Sequence, residues 1–212
     1  MKKILLCLFI IVCFSNSSIY AAFSIKSAST QITSFKDPAY NNIQVKKMMV
    51  LAYGMSLNSR AQTERRFFKG RFAKTTTEVI PSVDILMPTR SYTDDEINEL
   101  IKQNNIDAVL IVSLVNTSSS QTYIPEVTTG TINLYGNTGY FSANTFGGYY
   151  VSSPNAAFEL KLFDPVNGNC MWIASANSYG KRLSEFFNLV DSLAIQTVKT
   201  FIQDQLTEAV KK

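Results

Sequence analysis

The sequence predicts an α/β fold in which a mixed sheet with a β-α-β-α-β core is followed by a C-terminal β-hairpin and a long C-terminal helix. Two continuous apolar runs, at residues 48–53 and 107–115, are typical of strands buried on both faces. Two capping-box patterns, at residues 59–62 and 93–96, predict helices before and after a second strand region. An Asn167-Gly168 turn precedes a last stretch with helical periodicity, which predicts the hairpin and the final helix.

The N-terminal segment has the pattern of a secretory signal peptide. Two lysines precede the apolar run of residues 4–14, and small residues follow at Ala21. This run is too short to span a bilayer as a helix, which takes about 20 residues. We therefore expect residues 1–21 to be cleaved and the protein to be exported, to the periplasm, the cell surface or the medium. Lipid anchoring at Cys13 is the alternative, and Val12 disfavours it because the lipoprotein signal peptidase requires a small residue there.

The composition excludes several classes of function. The 212 residues include no histidine, which excludes Ser-His-Asp and Cys-His catalysis and histidine-ligated metal. We expect no cofactor and no metal. Cleavage after Ala21 removes two of the 20 basic residues and leaves 18 against 16 acidic residues, and a net charge of +2 argues against a nucleic-acid partner. Cys170 would remain as a single cysteine, which we expect to be a small buried residue at the start of a strand.

The mature chain divides into a polar lead-in over residues 22–44, with at most one edge strand, and a single α/β domain over residues 45–212. The first half of that domain alternates strands and helices: a strand over 48–53, a helix over 59–73, a strand region over 76–86 interrupted at Pro81, a helix over 93–104 and a strand over 107–115. Acidic residues in the first turn of the second helix complement its dipole, so capping explains them better than catalysis does. This order predicts a parallel β-α-β core.

The second half of the domain begins with an insertion at residues 116–155 that is rich in Ser, Thr, Gly, Asn and Tyr. Such a segment cannot bury enough apolar surface to pack alone, so we expect one or two irregular hairpins or a mobile segment. A hairpin follows, in which a two-residue turn would pair Phe163 with Trp172 and a longer loop would shift that register. We expect Trp172 to belong to the core or the sheet surface. A helix over residues 184–210, about 40 Å long, ends the chain.

Two groups of residues are candidates for binding. Tyrosines in a Ser/Gly/Asn-rich loop suit recognition, and those of the insertion are Tyr123, Tyr135, Tyr140, Tyr149 and Tyr150. The first helix adds a basic set, Arg60, Arg65 and Arg66, suited to lipid headgroups or an anionic glycan, although a solvated helix face explains it more simply. For the insertion, the alternatives are a tolerated loop without function and a hairpin that inserts into a membrane.

Six motifs in a fixed order cover nearly the whole mature chain. They are residues 35–40, residues 46–52, Arg60 with Glu64, Pro88, residues 105–112, and residues 162–164 with Met171-Trp172. In this order they resemble an uncharacterised family of small exported, often lipid-anchored bacterial envelope proteins. More distantly, the order of elements is similar to the periplasmic domains of the curli secretion channel and of outer-membrane activators of peptidoglycan synthases. Those are assembly and regulatory proteins, so the resemblance implies an accessory role and brings no catalytic residue.

The sequence therefore favours a non-enzymatic, exported binding module of the bacterial cell envelope that docks a protein partner. Peptidoglycan and the membrane surface are further partners that fit this role. Two alternatives stay open. One is a hydrolase that uses carboxylates or a Ser-Lys pair on cell-wall glycan or peptide, and the other is a secreted factor that acts on a host cell.

Overall fold

The computed structural model describes residues 28–68, 71–135 and 138–210, with side chains in all of these except residues 128–145. The predicted signal peptide, with Cys13, lies outside the described residues. The described helices are α1 (Leu57–Phe68), α2 (Asp94–Gln103) and α3 (Phe186–Gln203). The described strands are β1 (Ala28–Lys36), β2 (Lys47–Tyr53), β3 (Glu78–Pro81), β4 (Ala108–Ile124), β5 (Val127–Tyr135), β6 (Thr138–Phe146), β7 (Tyr149–Phe163) and β8 (Cys170–Gly180).

The described strands form a mixed sheet of six, in the order β1-β8-β7-β4-β2-β3, and a separate pair, β5-β6. Strand β2 is parallel to both β3 and β4, and the remaining neighbours are antiparallel. The predicted fold class is confirmed, and the lead-in contributes β1 as an edge strand. The connection from β2 to β3 runs toward one edge of the sheet, and the connection from β3 to β4 runs back toward the other. With right-handed crossovers, this reversal places α1 and α2 on opposite faces of the sheet.

The core lies between the sheet and the layer formed by α1 and α3. Its strand residues alternate along β4 and β7, where Leu110, Val112, Leu160 and Leu162 are fully buried. Helix α3 covers them with one apolar face, made by Leu189, Val190, Leu193, Ala194 and Phe201. Burying each large apolar side chain contributes about 1.5–3 kcal/mol. The apolar residues that alternate along the strands therefore pack in one core against those that recur every three to four residues along α3.

The boundaries of two helices differ from the sequence prediction. Helix α1 begins at Leu57, because Ser56 Oγ accepts from the Ser59 N–H at 3.3 Å, so Ser59 lies inside the helix and does not cap it. The sequence pattern of this helix predicts that Phe68 lies on its apolar face, but Phe67 is buried and Phe68 is exposed, so the buried face is shifted by one residue. Helix α3 ends at Gln203, seven residues before the predicted end, and spans about 27 Å.

Local capping and turn chemistry explain the other boundaries. The capping box of α2 is confirmed, with Thr93 and Glu96 each bonding to the other's backbone N–H. The Thr93 N–H and then Arg90 hold the pKa of the Glu96 carboxyl below its usual range. The β7–β8 hairpin adopts the longer loop: Leu162 pairs with Trp172 and Phe163 with Cys170, so the pairing expected for a two-residue turn is wrong.

Trp172 joins the end of α3 to the sheet. Its ring is buried and makes an edge contact with Phe201, with 4.9 Å between ring centroids. The indole Nε1 donates to Asp204 Oδ2 at 2.6 Å, and Ser34 Oγ donates to the same oxygen at 2.7 Å. Lys36 Nζ donates to the Asp204 carbonyl at 2.9 Å; partial burial lowers the pKa of this lysine, and the Asp204 charge opposes that shift. Trp172 is thus a core residue.

A fully buried carboxylate, Glu64, ties α1 to the ends of β2 and β3. Its Oε1 accepts from the Ala52 N–H at 3.0 Å, Arg60 Nε at 2.9 Å and Ser82 Oγ at 2.8 Å. Its Oε2 accepts from the Val83 N–H at 2.9 Å. A buried charge is stable only when it is paired and hydrogen-bonded, and here four donors meet that condition. The Glu64 network therefore fixes how α1 lies on the sheet.

We expect Glu64→Gln to lower the free energy of unfolding by about 3 kcal/mol. The amide removes the charge that pairs with Arg60, and its NH2 group would face one of the donors that now bind the carboxylate. Urea denaturation measures the change. The matched control is Glu78→Gln, since Glu78 is mostly exposed and faces Lys47 Nζ at 3.5 Å; it should cost less than about 0.5 kcal/mol. Equal effects of the two variants would contradict the role given to Glu64.

Candidate partner-binding surface

Strands β4 and β7 continue well beyond the rest of the sheet. They pair as far as Ile124 and Tyr149, whereas β2 pairs with β4 only as far as Ser113 and β8 pairs with β7 only from Asn155 onward. The β5–β6 pair continues the ribbon. We call residues 116–155 the arm. The insertion thus forms paired backbone over 116–124, 127–135, 138–146 and 149–155, which is more regular than the sequence indicated.

The strand pairing of the arm is interrupted where the first ribbon meets the second. The interruption lies between Ile124 and Val127 on one strand and at Gly147-Gly148 on the other, and the Gly148 N–H donates to the Ile124 carbonyl at 2.8 Å. Gly147 has a φ of 102°, and a Cβ at this position would lie 2.0 Å from the Pro125 carbonyl oxygen. Only glycine fits this backbone and this approach. The interruption of the pairing is therefore encoded by the sequence.

Three of the five predicted tyrosines lie next to one another along the β4–β7 ribbon of the arm. Tyr123 and Tyr150 are on one face of this ribbon and Tyr149 is on the other, because consecutive strand residues alternate between faces. Tyr123 and Tyr150 are opposite one another in the ladder, and their ring centroids are 5.1 Å apart. Tyr149 OH accepts from Arg182 Nη2 at 2.8 Å, and the Arg182 guanidinium lies 5.4 Å from the centroid of the Tyr149 ring. We call Tyr123, Tyr149, Tyr150 and Arg182 the arm-base cluster. Tyr135 and Tyr140 lie in β5 and β6, and their side chains lie outside the description.

The sheet edge at which the arm begins carries an exposed apolar rim. Strands β2, β4 and β8 run in the same direction, so their carboxyl ends lie at the edge of the sheet from which the arm projects. The large apolar residues exposed along this edge are Tyr53, Leu57, Val115, Tyr179 and Leu183. Val115 lies at a bulge in β4, where the register with β7 shifts. Ligands of open α/β sheets commonly bind at this edge.

The three predicted arginines lie on α1, and each is engaged within the domain. Arg60 contacts Glu64 and donates to Ser82 Oγ at 2.8 Å. Arg66 pairs with Asp191 at 2.5 Å and lies 4.7 Å from the centroid of the Phe187 ring. Arg65, at 3.7 Å from Asp84, is the most exposed of the three. The structure therefore gives Arg60 and Arg66 clear internal partners, and binding by the arginines stays a prediction.

Sequence reasoning missed Arg182 and most of the rim. These residues are distant in the chain, and only the strand order brings them to one edge. For the described residues, no helix is long and apolar enough to cross a membrane. In the same part of the chain, no three Asp, Glu or Cys side chains are grouped so as to hold a metal ion.

No protein-family model and no curated protein matches this chain. Among solved structures, the chain is similar to PelC from Paraburkholderia phytofirmans, solved as a dodecamer, at 14% identity and a TM-score of 0.45 over 86% of this chain and 99% of that one. It is also similar to the lipoprotein GNA1162 from Neisseria meningitidis, at 14% identity and a TM-score of 0.40 over 74% and 98% of the two chains. We base no inference about family or function on similarities at this level. The likeness to the curli channel and to the synthase activators stays a prediction.

The interrupted pairing at Gly147-Gly148 gives a local prediction. Gly147→Ala places a methyl group against the Pro125 carbonyl, so we expect the Gly148 amide to lose its bond to Ile124 and to exchange with solvent at least about tenfold faster. Hydrogen exchange measures this. Gly168→Ala is the matched control, because Gly168 also has a left-handed φ, of 72°, but no atom lies within 4 Å of its added Cβ. If the exchange rate of the Gly148 amide were unchanged in Gly147→Ala, the added methyl group would not be in conflict with the Pro125 carbonyl.

Proposed function

We propose that this protein is an exported, non-enzymatic accessory module of the bacterial cell envelope that binds a protein partner through its arm and arm-base cluster. One observation carries the proposal: the arm projects from the sheet edge and carries two exposed tyrosines whose rings contact one another, and the edge where it begins has an apolar rim. Tyr123 is 49% exposed and Tyr150 is 68% exposed. Tyrosine supplies large contact area at low entropic cost and is enriched among residues that dominate binding energy.

The charges of the arm favour a partner recognised by shape and apolar contact. Among residues 116–155, Glu126 is the single charged residue. Nucleic acids and anionic surfaces are bound mainly through lysine and arginine, which the arm does not contain. Arg182 is the cation nearest to the arm-base cluster in the described contacts, and Tyr149 already engages it. This supports a protein partner over peptidoglycan or the membrane surface.

The carboxylates of the described residues support binding over hydrolysis. A glycan hydrolase needs two carboxyl groups on either side of the scissile bond. In the described part of the chain, Glu64 is the buried carboxylate, and four donors already engage it. Asp94 and Asp95 are exposed in the first turn of α2, where they complement its dipole. Turnover of cell-wall glycan or peptide by the pure protein would contradict the proposal.

Site-specific photo-crosslinking in the producing bacterium tests the proposed surface. A photoreactive phenylalanine analogue in place of Tyr150 should give a crosslinked adduct with one envelope protein. The same analogue at Val166 should give none, because Val166 is 91% exposed but lies in the β7–β8 turn, at the opposite end of the sheet. Adducts of equal yield from both positions would argue against a specific surface.

The partner identified in this way then serves in a binding assay. Tyr123→Ser with Tyr150→Ser should weaken its affinity more than about tenfold, since truncated tyrosine hot spots commonly cost that much. Val166→Ser should leave the affinity unchanged. A variant in which a short linker replaces residues 117–154 should stay folded and lose binding. If that folded deletion variant bound the partner as well as the intact protein does, the arm would have no part in recognition.

Mass spectrometry of the mature N-terminus tests export independently. We expect the protein recovered from the periplasm or the medium to begin at Ala22. An acylated Cys13 would instead establish a membrane-tethered form, and an intact Met1 in the cytoplasmic fraction would contradict export. Fractionation of cells and medium distinguishes an envelope protein from a secreted factor that acts on a host.

A further inference from the structure

The two edges of the six-stranded sheet differ in how they are protected. Strand β3 is four residues long and ends at Pro81, and both features limit pairing with another strand. Strand β1 has nine residues and pairs with β8 at nine successive positions without a register shift. It contains no proline, and its single charge is Lys36 at its end. Strand β1 is thus a long, regular edge without proline, bulge or central charge; α3 packs on one face of it, where Thr30 contacts Ser192 and Ser34 contacts Asp204.

The outward-facing backbone groups of β1 follow from its ladder with β8. The Asp37 N–H donates to the Met171 carbonyl at 3.0 Å, which marks residues 37 and 171 as a hydrogen-bonded pair. Hydrogen-bonded and non-bonded pairs alternate in an antiparallel ladder. Odd-numbered residues of β1 therefore bond to β8, while Thr30, Ile32 and Ser34 direct their N–H and C=O groups outward. In the described residues no strand pairs with this edge.

We propose that the outer edge of β1 pairs antiparallel with β1 of a second copy of this chain, about a two-fold axis at Ile32. In this register Ile32 faces Ile32 of the partner, and each Thr30 faces a Ser34. Because all of these residues direct their backbone outward, every hydrogen-bonded pair matches donors with acceptors. The two sheets become one continuous sheet of twelve strands.

The side chains of β1 are self-complementary in this register. Each Lys36 lies opposite an Ala28, so the two lysines are at opposite ends of the ladder, roughly 27 Å apart along the strands, and do not repel one another. Each Phe35, 70% exposed in the single chain, lies opposite a Ser29. Each Gln31 lies opposite a Thr33, and both are exposed on the face away from α3. No pair brings like charges together.

The absence of opposed like charges in the self-paired register favours a second copy over an extended peptide of another protein. A peptide chosen by charge would find only Lys36, whose ammonium group already donates to the Asp204 and Asn41 carbonyls. The edge itself offers Ser, Thr, Gln and one phenylalanine, and an identical strand satisfies these as well as any other sequence does. An interface of one strand pair belongs to the small, weak class below about 1,200 Å². We therefore expect a reversible monomer–dimer equilibrium.

A charge-swap pair of variants tests the register. Gln31→Lys with Thr33→Lys places lysines opposite one another across the two-fold axis, in non-bonded pairs where side chains are closest. Gln31→Lys with Thr33→Glu places each lysine opposite a glutamate. Sedimentation equilibrium of the purified protein should show dimers. The Lys/Lys variant should raise the dimer dissociation constant at least about tenfold, and the Lys/Glu variant should not raise it.

The matched control adds two lysines to the same face one strand further in. Ser175→Lys with Asn177→Lys changes exposed residues of β8 that pair with Thr33 and Gln31, and it should leave the dimer intact. Matching circular dichroism spectra of the four proteins establish that all are folded. A parent protein that stays monomeric at the highest concentration at which it is soluble would overturn the proposal. So would a Lys/Lys variant that dimerises as the parent does.

Distance measurement by spin labels provides a test that needs no added charge. A label at Ser29→Cys, in a Cys170→Ser background, should report a separation of roughly 20 Å between copies, set by six residues along the ladder. A dimer without this distance would place the interface elsewhere and would refute the β1 register. The proposal does not depend on the arm, so failure of either one leaves the other standing.

Discussion

The pairing of β4 with β7 is the constraint on which both the core and the arm depend. Within the core, Val112 pairs with Leu160, and the burial of both fixes which residues of each strand face α3. A slip of one residue would turn every side chain of a strand to the other face, at the cost of the core. Because the same two strands continue outward, the register chosen in the core, together with the one-residue bulge at Val115, places Tyr123 opposite Tyr150. The position of Tyr123 relative to Tyr150 thus depends on packing in the core, further along the same two strands.

The arm itself has little to stabilise it. A two-stranded ribbon is at best marginally stable in water, and the side chains of residues 116–122 are all exposed. Its contacts with the domain are concentrated at its base, where Arg182 holds Tyr149 and where β8 pairs with β7 from Asn155 onward. The arm also carries a single charged residue, Glu126, so a partner that covered it would meet little charge.

Patterns of neighbouring residues predicted the helices and strands well, whereas contacts between residues distant in the chain could not be predicted from the sequence. The continuous run at residues 107–115 and the Thr93 cap each depend on neighbours in the chain, and both are confirmed. Ser56 and Ser59 are equally plausible caps for α1, and only the path of the preceding backbone selects Ser56. The Arg60–Glu64 pair is visible as an i,i+4 spacing, but its burial depends on the backbone at Ala52 and Val83. The rim requires the strand order, which no local pattern contains.

The two proposed surfaces lie at different edges, and their geometry relates them. Strand β1 begins at the arm side of the sheet, since Ala28 pairs with Gly180 at the carboxyl end of β8. Antiparallel pairing of two β1 strands reverses the second sheet, so the arms of a dimer project in opposite directions. Such a dimer presents two separate partner-binding surfaces and gains avidity only from partners that are themselves linked across it. Two arms that meet the same flat surface would require the β1 edges to stay unpaired, so dimerisation and side-by-side binding exclude one another.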